Sequence, residues 1–350
     1  MDSSKIIGKG GFGVVVKEGE RARKHFKKLE HMTRELIMLR YMRSSGYIAK
    51  NYTHNLKDLS LTLQRWDASL LMVMSSGYDM KDDAKLRIFR HVLKALSHMH
   101  QAGMVHSDVT TANILIDTTD WNACLCDLGL SSTKKYSRVG QTAIQHRPIN
   151  PIPCEGHDMY GLAVCMIQLF GKMWIHVQKT AKELRDITRS EPLIAKKLRD
   201  VFLKMLPDNP LDSITSHEVL FDIFKEKTVF EVPSVKYYKE KIELELIEFM
   251  KAQMFQVCAT YRINRNIRCH KCLVQYLSGP TGSQISISYY DLYMVAACFL
   301  FASLYGSKEF DHPKALSCIE GRYTKEDFIG AVEALIQDNN FVGLAMMSVD

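Results

Sequence analysis

The sequence has no hydrophobic run long enough to cross a bilayer and no regular cysteine framework. Its longest apolar stretch, Leu292–Tyr305, is shorter than the roughly 20 residues that a transmembrane helix needs. The nine cysteines follow no regular spacing, which favours reduced thiols over a disulfide scaffold. The first residues run from Ile6 and Ile7 straight into glycines and charges, unlike a signal peptide. These absences predict an intracellular protein of the nucleus or the cytoplasm.

Internal repeats and low-complexity tracts are also absent. Hydrophobic residues make up 46% of the chain and charged residues 24%, which is typical of a globular protein with a buried core. The net charge of +7 is mild and fits an acidic ligand such as a nucleotide, or an acidic partner surface, without proving either. Because 350 residues exceed one average domain, we expect two domains.

The apolar pattern divides the chain into a mixed part and a helical part. Val14–Val16 and Leu59–Leu63 have the composition of strands, and Leu29–Met42 keeps helical spacing. Helices dominate from Lys85 onward, apart from short β-type stretches. After a charged segment, everything from Ile242 onward is helical by period.

A glycine-rich segment near the N-terminus runs from Gly8 to Gly13 in the pattern GxGxxG, followed by valines. Glycines let a strand-turn-strand backbone approach a polyphosphate and offer it N–H groups. The pattern alone also occurs at dinucleotide sites and in plain turns. A dinucleotide site continues into a helix, whereas β-branched residues follow here, which favours a hairpin that covers a nucleotide.

Five charged or polar residues then follow in a fixed order. Lys24 lies on the next strand and Glu35 on the following helix, and a lysine held by such a carboxylate can bind α- and β-phosphates. Asp108 precedes Asn113 with the spacing of a catalytic base and a magnesium ligand, and Asp127 begins an Asp-Leu-Gly turn. Each residue taken singly is unremarkable, so the interpretation depends on their joint order.

In this order the motifs of residues 1–228 resemble those of eukaryotic-type protein kinases, and of cyclin-dependent kinases in particular. The resemblance implies an α+β bilobal kinase fold with an N-lobe over about 1–66 and a C-lobe over about 67–228. It implies an ATP- and Mg²⁺-dependent enzyme that phosphorylates a protein substrate, with serine or threonine favoured over tyrosine.

The resemblance also assigns roles to individual residues. Asp108 is the catalytic base, Lys24 and Glu35 form the activating pair, and Asn113 and Asp127 bind Mg²⁺. Further ATP contacts are implied at Ile7, Gly8, Gly10, Gly13, Val15, Ala22, Leu63, Trp66 and Leu115.

The catalytic loop departs from the family. Thr110 and Ala112 stand where serine/threonine and tyrosine kinases respectively place a lysine or an arginine. The loop therefore supplies no cation to the transferring phosphate, which predicts slow turnover or a larger role for the metals and Lys24. The alternative is a nucleotide-binding pseudokinase that serves as an interaction module.

The elements that respond to phosphorylation also depart from the family. Ser107 and Ser132 replace two of the three arginines that bind an activation-loop phosphothreonine in cyclin-dependent kinases, and Arg34 is the third. We therefore expect activity that does not depend on an activation-loop phosphate. His146–Asn150 lacks the glutamate usual after the activation loop, and Ser213 stands where its arginine partner would be.

The helical part resembles a single cyclin box over residues 241–345, joined by a linker over 229–240. A very apolar helix at Tyr289–Tyr305 would form its centre, and Thr324 with Asp327 predicts a capped helix start. The alternative is an unrelated five-helix bundle. Fused compact parts of this kind are typical of a viral protein, and the cyclin resemblance suggests a role in the cell cycle.

A cyclin resemblance implies docking on the regulatory helix, called αC in kinases. Thr33–Leu36 resembles the docked stretch, and docking in cis or in a dimer would press Glu35 toward Lys24. Glu333 matches a cyclin glutamate whose usual lysine partner is Leu304 here, so the contact must differ. Another possibility is a cyclin mimic that recruits a different kinase. We expect neither nucleic-acid nor membrane partners.

One pattern suggests zinc. Cys269-His270-Lys271-Cys272 contains a CxxC, but it lies in a helical segment and no second ligand pair follows, so structural zinc is not expected.

Overall fold

The computed structural model describes residues 5–133, 154–236, 266–305 and 323–347, with a few further positions between 248 and 259. The chain forms two compact units. The first comprises Met1–Tyr41, Asn51–Leu63 and Pro233–Val349, and the second comprises Met42–Lys50 and Gln64–Val232.

The strands and helices are numbered along the described chain. The strands are β1 (Ile6–Lys9), β2 (Gly13–Glu18), β3 (Arg21–Phe26), β4 (Asn51–Asn55), β5 (Ser60–Gln64), β6 (Ala68–Ser69), β7 (Met104–Val105), β8 (Ile114–Ile116), β9 (Ala123–Leu125) and β10 (Ser132–Thr133). The helices are α1 (Leu29–Tyr41), α2 (Leu70–Ser75), α3 (Asp82–Gln101), α4 (Glu155–Gly171), α5 (Ala181–Ser190), α6 (Lys196–Met205), α7 (Ser216–Val219), α8 (Asn266–Ser278), α9 (Tyr290–Tyr305), α10 (Lys325–Gln337) and α11 (Asn339–Met346).

A five-stranded sheet with the order β1-β2-β3-β5-β4 forms the β part of the first unit. Strands β2 and β3 pair antiparallel across a tight turn in which Gly19 has a φ of 58°, a conformation that glycine adopts without steric cost. The predicted strands at Val14–Val16 and Leu59–Leu63 are confirmed as β2 and β5, although Leu59 itself precedes β5.

The helical part of the first unit is built around α9, which is buried along almost its whole length. Phe299 of α9 and Phe328 of α10 meet edge to face, with ring centroids 5.4 Å apart. The predicted capping box is confirmed, because Thr324 accepts a hydrogen bond from the Asp327 N–H and the Asp327 carboxylate accepts one in return. Asp338 caps the next helix, α11, through the Phe341 N–H.

Helix α1 is buried on more than one face because it packs against this bundle as well as beside the sheet. It contacts α9 and α11, and its buried residues include Met32, Leu36 and Met38. Several neighbours of α1 therefore come from a part of the chain more than 200 positions away.

Helices form most of the second unit. Helices α3 and α4 pack against each other, and α4 is buried at nearly every position. Two small sheets, β6-β8-β9 and β7-β10, carry the loops that contain the predicted catalytic residues. Helix α7 continues into a π-helical turn at Leu220–Phe224.

Some sequence predictions fall outside the described residues. These are the segment His146–Asn150, residues 237–240 of the predicted linker, and most of 241–265 together with 306–322 in the predicted cyclin box. Residues 229–236 of the linker have no regular secondary structure. Within the part of the chain that the structure describes, no helix combines the length and hydrophobicity needed to cross a membrane.

Candidate active site and regulatory helix

Lys24 and Glu35 form a buried ion pair in the first unit. The Lys24 Nζ lies 2.6 Å from the Glu35 Oε2, and the two side chains are 7% and 2% exposed. Strand β3 places Lys24 opposite Val15 of β2, while α1 supplies Glu35. Removal of either side chain would be strongly destabilising, because it would leave an uncompensated charge buried away from water.

The glycine-rich segment forms a turn between β1 and β2. The Gly10 N–H donates to the Gly13 carbonyl at 3.0 Å. A Cβ atom on Gly13 would lie 1.9 Å from the His25 carbonyl oxygen, so only glycine fits that position. At the turn, Phe12 packs edge to face on His31 of α1, with ring centroids 4.8 Å apart. The turn is thereby tied to the regulatory helix.

The other predicted nucleotide contacts of the first unit lie on its sheet. Val15 faces Gly8 across β1 and β2, and Ala22 is buried on β3. Leu63 is half-buried on β5, and Ile7 is exposed on β1. In the second unit, Trp66 and Leu115 are both half-buried, and Leu115 pairs with Cys124 between β8 and β9. Contact of these residues with ATP stays a prediction.

The catalytic loop of the second unit joins Asp108 to Asn113. The Asn113 Nδ2 donates to the Asp108 carbonyl at 2.9 Å and to the Asp108 Oδ2 at 2.8 Å. The Cys126 N–H donates to the Asn113 carbonyl at 3.0 Å, which holds the segment before Asp127 against this loop. Asp127 has a φ of 61°, a left-handed conformation that is rare for a non-glycine residue and that recurs at functional sites.

Asp158 of α4 holds the catalytic loop from within the second unit. Its carboxylate accepts 2.8 Å hydrogen bonds from the N–H groups of His106 and Ser107, and the His100 Nε2 lies 3.0 Å away. Burial alone would raise the pKa of Asp158, but the hydrogen bonds and the two nearby imidazoles hold this pKa below its ordinary value. An ionised Asp158 therefore fixes the backbone just before Asp108.

The start of the activation segment is buried. Ser131, Ser132 and Thr133 are each at most 3% exposed, and β10 pairs antiparallel with β7. The Ser131 hydroxyl donates to the His106 carbonyl at 3.3 Å. These three hydroxyls are thus inaccessible to another kinase in this conformation, while Thr142 lies outside the described residues.

The bundle contacts α1 at the stretch that resembles a cyclin-docking segment. The hydroxyls of Thr33 and Ser303 lie 3.3 Å apart, and the Arg34 Nη1 donates to the Ser303 carbonyl at 3.4 Å. Both hydroxyls also donate to backbone carbonyls of their own helices, so small residues meet where α1 and α9 approach. Leu304, which the cyclin resemblance places where a lysine is expected, is buried.

Two contacts of the bundle were not found from the sequence. The Arg40 Nη2 donates to the carbonyl of Gln337 at 2.9 Å, and the His54 Nε2 lies 3.6 Å from the Glu333 Oε1. Burial lowers the pKa of His54, although the Glu333 carboxylate opposes that shift. Local sequence patterns carry no indication of either contact, because each joins residues more than 270 positions apart.

The described residues do not form a zinc site. Cys269 and Cys272 are buried in α8, and no group of three His, Cys, Asp or Glu side chains within the described ranges could hold a metal ion. A magnesium site of the kinase type needs a different donor set. It uses one aspartate, one asparagine and the oxygens of the nucleotide phosphates. Asp127 and Asn113 are present as the predicted protein ligands, and their binding of Mg²⁺ stays a prediction.

Comparison with known proteins identifies the family. The family model described as protein kinase domain matches residues 1–264. A mitogen-activated protein kinase 4 of Oryza sativa subsp. japonica is 23% identical over 65% of this chain and 73% of its own length. Two serine/threonine-protein kinases of Saccharomyces cerevisiae, VHS1 and KIC1, are 25% and 29% identical over 39% and 43% of this chain.

These matches leave much of the yeast relatives uncovered, since the chain aligns with 36% of VHS1 and 15% of KIC1. The family match nevertheless spans well over half of this chain and contains all the motif residues described above. The chain therefore belongs to the protein kinase family, with serine/threonine kinases among its relatives.

Proposed function

We propose that this chain is an ATP-dependent protein-serine/threonine kinase that its own C-terminal helices keep active. The observation that carries the proposal is the closed Lys24–Glu35 pair on a helix packed against those helices. Closure of this pair is the two-state element of kinase activation. The Lys24 Nζ and the Glu35 Oε2 are 2.6 Å apart, and both residues belong to the same unit as α9 and α11. This arrangement supports activation in cis.

The residues present fit the catalytic chemistry of the family. Asp108 would accept the proton of the substrate hydroxyl as that oxygen attacks the γ-phosphate of ATP. Because the Asn113 amide group donates to Asp108, the orientation of the side chain leaves its carbonyl oxygen as the atom for Mg²⁺. When bound, Mg²⁺ would neutralise phosphate charge, and Asn113 and Asp127 would hold it.

Thr110 sets the expected rate. It is 5% exposed and carries no charge, so the loop offers no cation to the transferring phosphoryl group. Electrostatic stabilisation by a single group is typically worth a few kcal/mol at the transition state. We therefore expect a slow kinase that depends on Lys24 and the metals.

The C-terminal helices supply the activator in this proposal. Their cyclin-like order is supported by the buried central helix α9, the capped start of α10, and the packing of α9 and α11 on α1. In a single chain the effective concentration of such an activator is high at all times. Control by a separately made cyclin is then unnecessary.

Asp108→Asn tests the enzyme part of the proposal. We expect phosphate transfer from γ-labelled ATP to a mixed protein substrate to fall at least a hundredfold, while nucleotide binding measured by calorimetry is retained. Arg189→Met, which removes an exposed ion pair with Asp186, is the matched control and should behave as wild type. Equal transfer by Asp108→Asn and wild type would contradict the proposal.

A second candidate is a nucleotide-binding pseudokinase that acts as an interaction module or cyclin mimic, and Thr110 favours it. It predicts ATP binding without transfer by the wild type itself. The same two assays separate the candidates, because only an enzyme loses transfer when Asp108 is changed.

A further inference from the structure

We propose that Arg34 and Arg40 of α1 are the C-terminal caps of α9 and α10, so that α1 recognises helix ends in place of an activation-loop phosphate. This inference rests on the proposed activation by the C-terminal helices and names the residues through which it acts. Arg34 and Arg40 are positioning residues, because they act through Glu35.

The C-terminal end of α9 lies beside a cation of α1. The last four carbonyls of a helix have no partner within it, and together they carry about half a negative charge. Ser303 is one of the last three residues of α9, and the last turn of that helix contains no basic residue. The half-buried Arg34 side chain, which donates to the Ser303 carbonyl, supplies a cation to this turn from α1.

The end of α10 repeats the arrangement. Gln337 is its last residue, and again the last turn has no basic residue. The Arg40 Nη2 donates to the Gln337 carbonyl at 2.9 Å and to the Asn339 Oδ1 at 3.3 Å. Two helices of the bundle therefore end on two arginines of the same helix.

The two caps together would fix the position of α1. Arg34 and Arg40 are six residues apart, which corresponds to about 9 Å along a helix. Contacts at two separated points restrain sliding and rotation of α1 about its own axis. Glu35 is the neighbour of Arg34, so a rotation that releases the caps also moves the Glu35 carboxylate away from Lys24.

Arg34 is the one arginine left of the three that bind an activation-loop phosphothreonine in cyclin-dependent kinases. Its guanidinium already donates to the end of α9. The negative end of that helix would thus occupy the arginine that a phosphate would otherwise use. The loss of the other two arginines at Ser107 and Ser132 is consistent with this exchange.

The test uses Arg34→Met, Arg34→Lys and Arg40→Met in the full chain, with Arg189→Met as control. Arg34→Met should lower kcat/KM about tenfold, and Arg34→Lys should recover most of it, because an ammonium also interacts favourably with a helix C-terminus. Phosphatase treatment should leave wild-type activity unchanged. Hydrogen exchange should accelerate in the last turn of α9 for Arg34→Met and of α10 for Arg40→Met.

Two results would overturn the inference. One is a fall of the phosphatase-treated wild type to the level of Arg34→Met, which would show that Arg34 binds a phosphate. The other is unchanged exchange at both helix ends. The exchange readout needs no kinase activity, so the caps can be tested even if Asp108→Asn shows that the chain is no enzyme. If Arg34→Met does not fold, Arg40→Met gives the same readout at α10.

Discussion

His54 of β4 and Glu333 of α10 lie 3.6 Å apart, and the pair links the edge of the sheet to the C-terminal bundle. In the predicted cyclin resemblance, Glu333 matches a glutamate of the final cyclin helix. Here its partner is an imidazole whose pKa burial lowers, so that the ring is neutral at pH 7. A neutral partner at this distance makes a weak contact.

We therefore expect Glu333→Gln to have little effect. The Glu333 side chain is 42% exposed, and exposed pairs contribute about 1 kcal/mol or less. Kinase activity at pH 7.5 should stay within about twofold of wild type, whereas Arg40→Met on the same surface should lower it more. A tenfold loss in Glu333→Gln would show that the glutamate is essential for docking after all.

The buried pair of the active site predicts a larger effect. In Glu35→Gln the Lys24 ammonium keeps a hydrogen-bonding neighbour but loses its charge partner in a site that is only a few per cent exposed. We expect kcat/KM to fall roughly tenfold to a hundredfold. Each loss of about 1.4 kcal/mol of transition-state stabilisation lowers the rate by a factor of ten. Steady-state kinetics measures this, and Glu30→Gln at the start of α1 is the matched control.

The buried activation segment predicts independence from phosphorylation. Changing Ser131, Ser132, Thr133 and Thr142 together to alanine should leave activity within about threefold. The first three side chains are buried, so another kinase cannot reach them in this structure. The single guanidinium of Arg34 would bind a phosphate weakly. A kinase assay on the quadruple variant, after a thermal melt to confirm folding, decides the matter. A collapse of activity in a folded variant would show that phosphorylation is required.

Acidic pH should destabilise the second unit through His91. The Ala123 N–H donates to the His91 Nδ1 at 3.1 Å, which requires an unprotonated nitrogen. Burial, reinforced by nearby Lys94 and Arg90, lowers the pKa of His91 to about 4 from an unfolded value near 6.5. The unfolded chain therefore binds the proton first, and stability that is present above pH 6.5 is lost as the pH falls toward 4.

Thermal melts between pH 7.5 and 4.5 test this assignment. Wild type should lose stability more steeply than His91→Asn, which is less stable at neutral pH but lacks the titrating group. Parallel pH profiles for the two proteins would mean that other groups, such as His54 or His98, cause the loss.

The sequence predicted local elements and ordered motifs well, for a physical reason. Helical periodicity at Leu29–Met42 and the capping box at Thr324 depend on neighbours a few positions away, and both are confirmed. The helical period of the C-terminal segment does not indicate where α10 ends and α11 begins. Asp338 separates the two helices, because its carboxylate accepts a hydrogen bond from the Phe341 N–H and caps the start of α11.

Contacts between distant elements could not be predicted in this way. Thr33 and Ser303 are 270 positions apart, and nothing in either local pattern indicates that α9 ends against α1. The sequence suggested docking near Thr33 only through a resemblance to other kinases, and it gave Arg34 a phosphate as its partner. The proposed role of Arg40 follows only from the contact of its guanidinium with the last residue of α10. A viral source stays a prediction, and the sequence identified no particular substrate.

The capping boxes offer a test that separates stability from activation. Thr324 caps α10 in the bundle, and Thr180 caps α5 in the second unit with the same reciprocal hydrogen bonds to Glu183. Each alanine variant should cost about 1 kcal/mol of stability, because an N-cap hydroxyl contributes that much. If α10 positions α1, only Thr324→Ala should also lower kcat, by about threefold at a temperature where both variants are folded. Urea denaturation curves first establish that the two variants lose the same stability, and steady-state kinetics then compares their kcat values. Equal kcat values would mean that the bundle does not act on the regulatory helix.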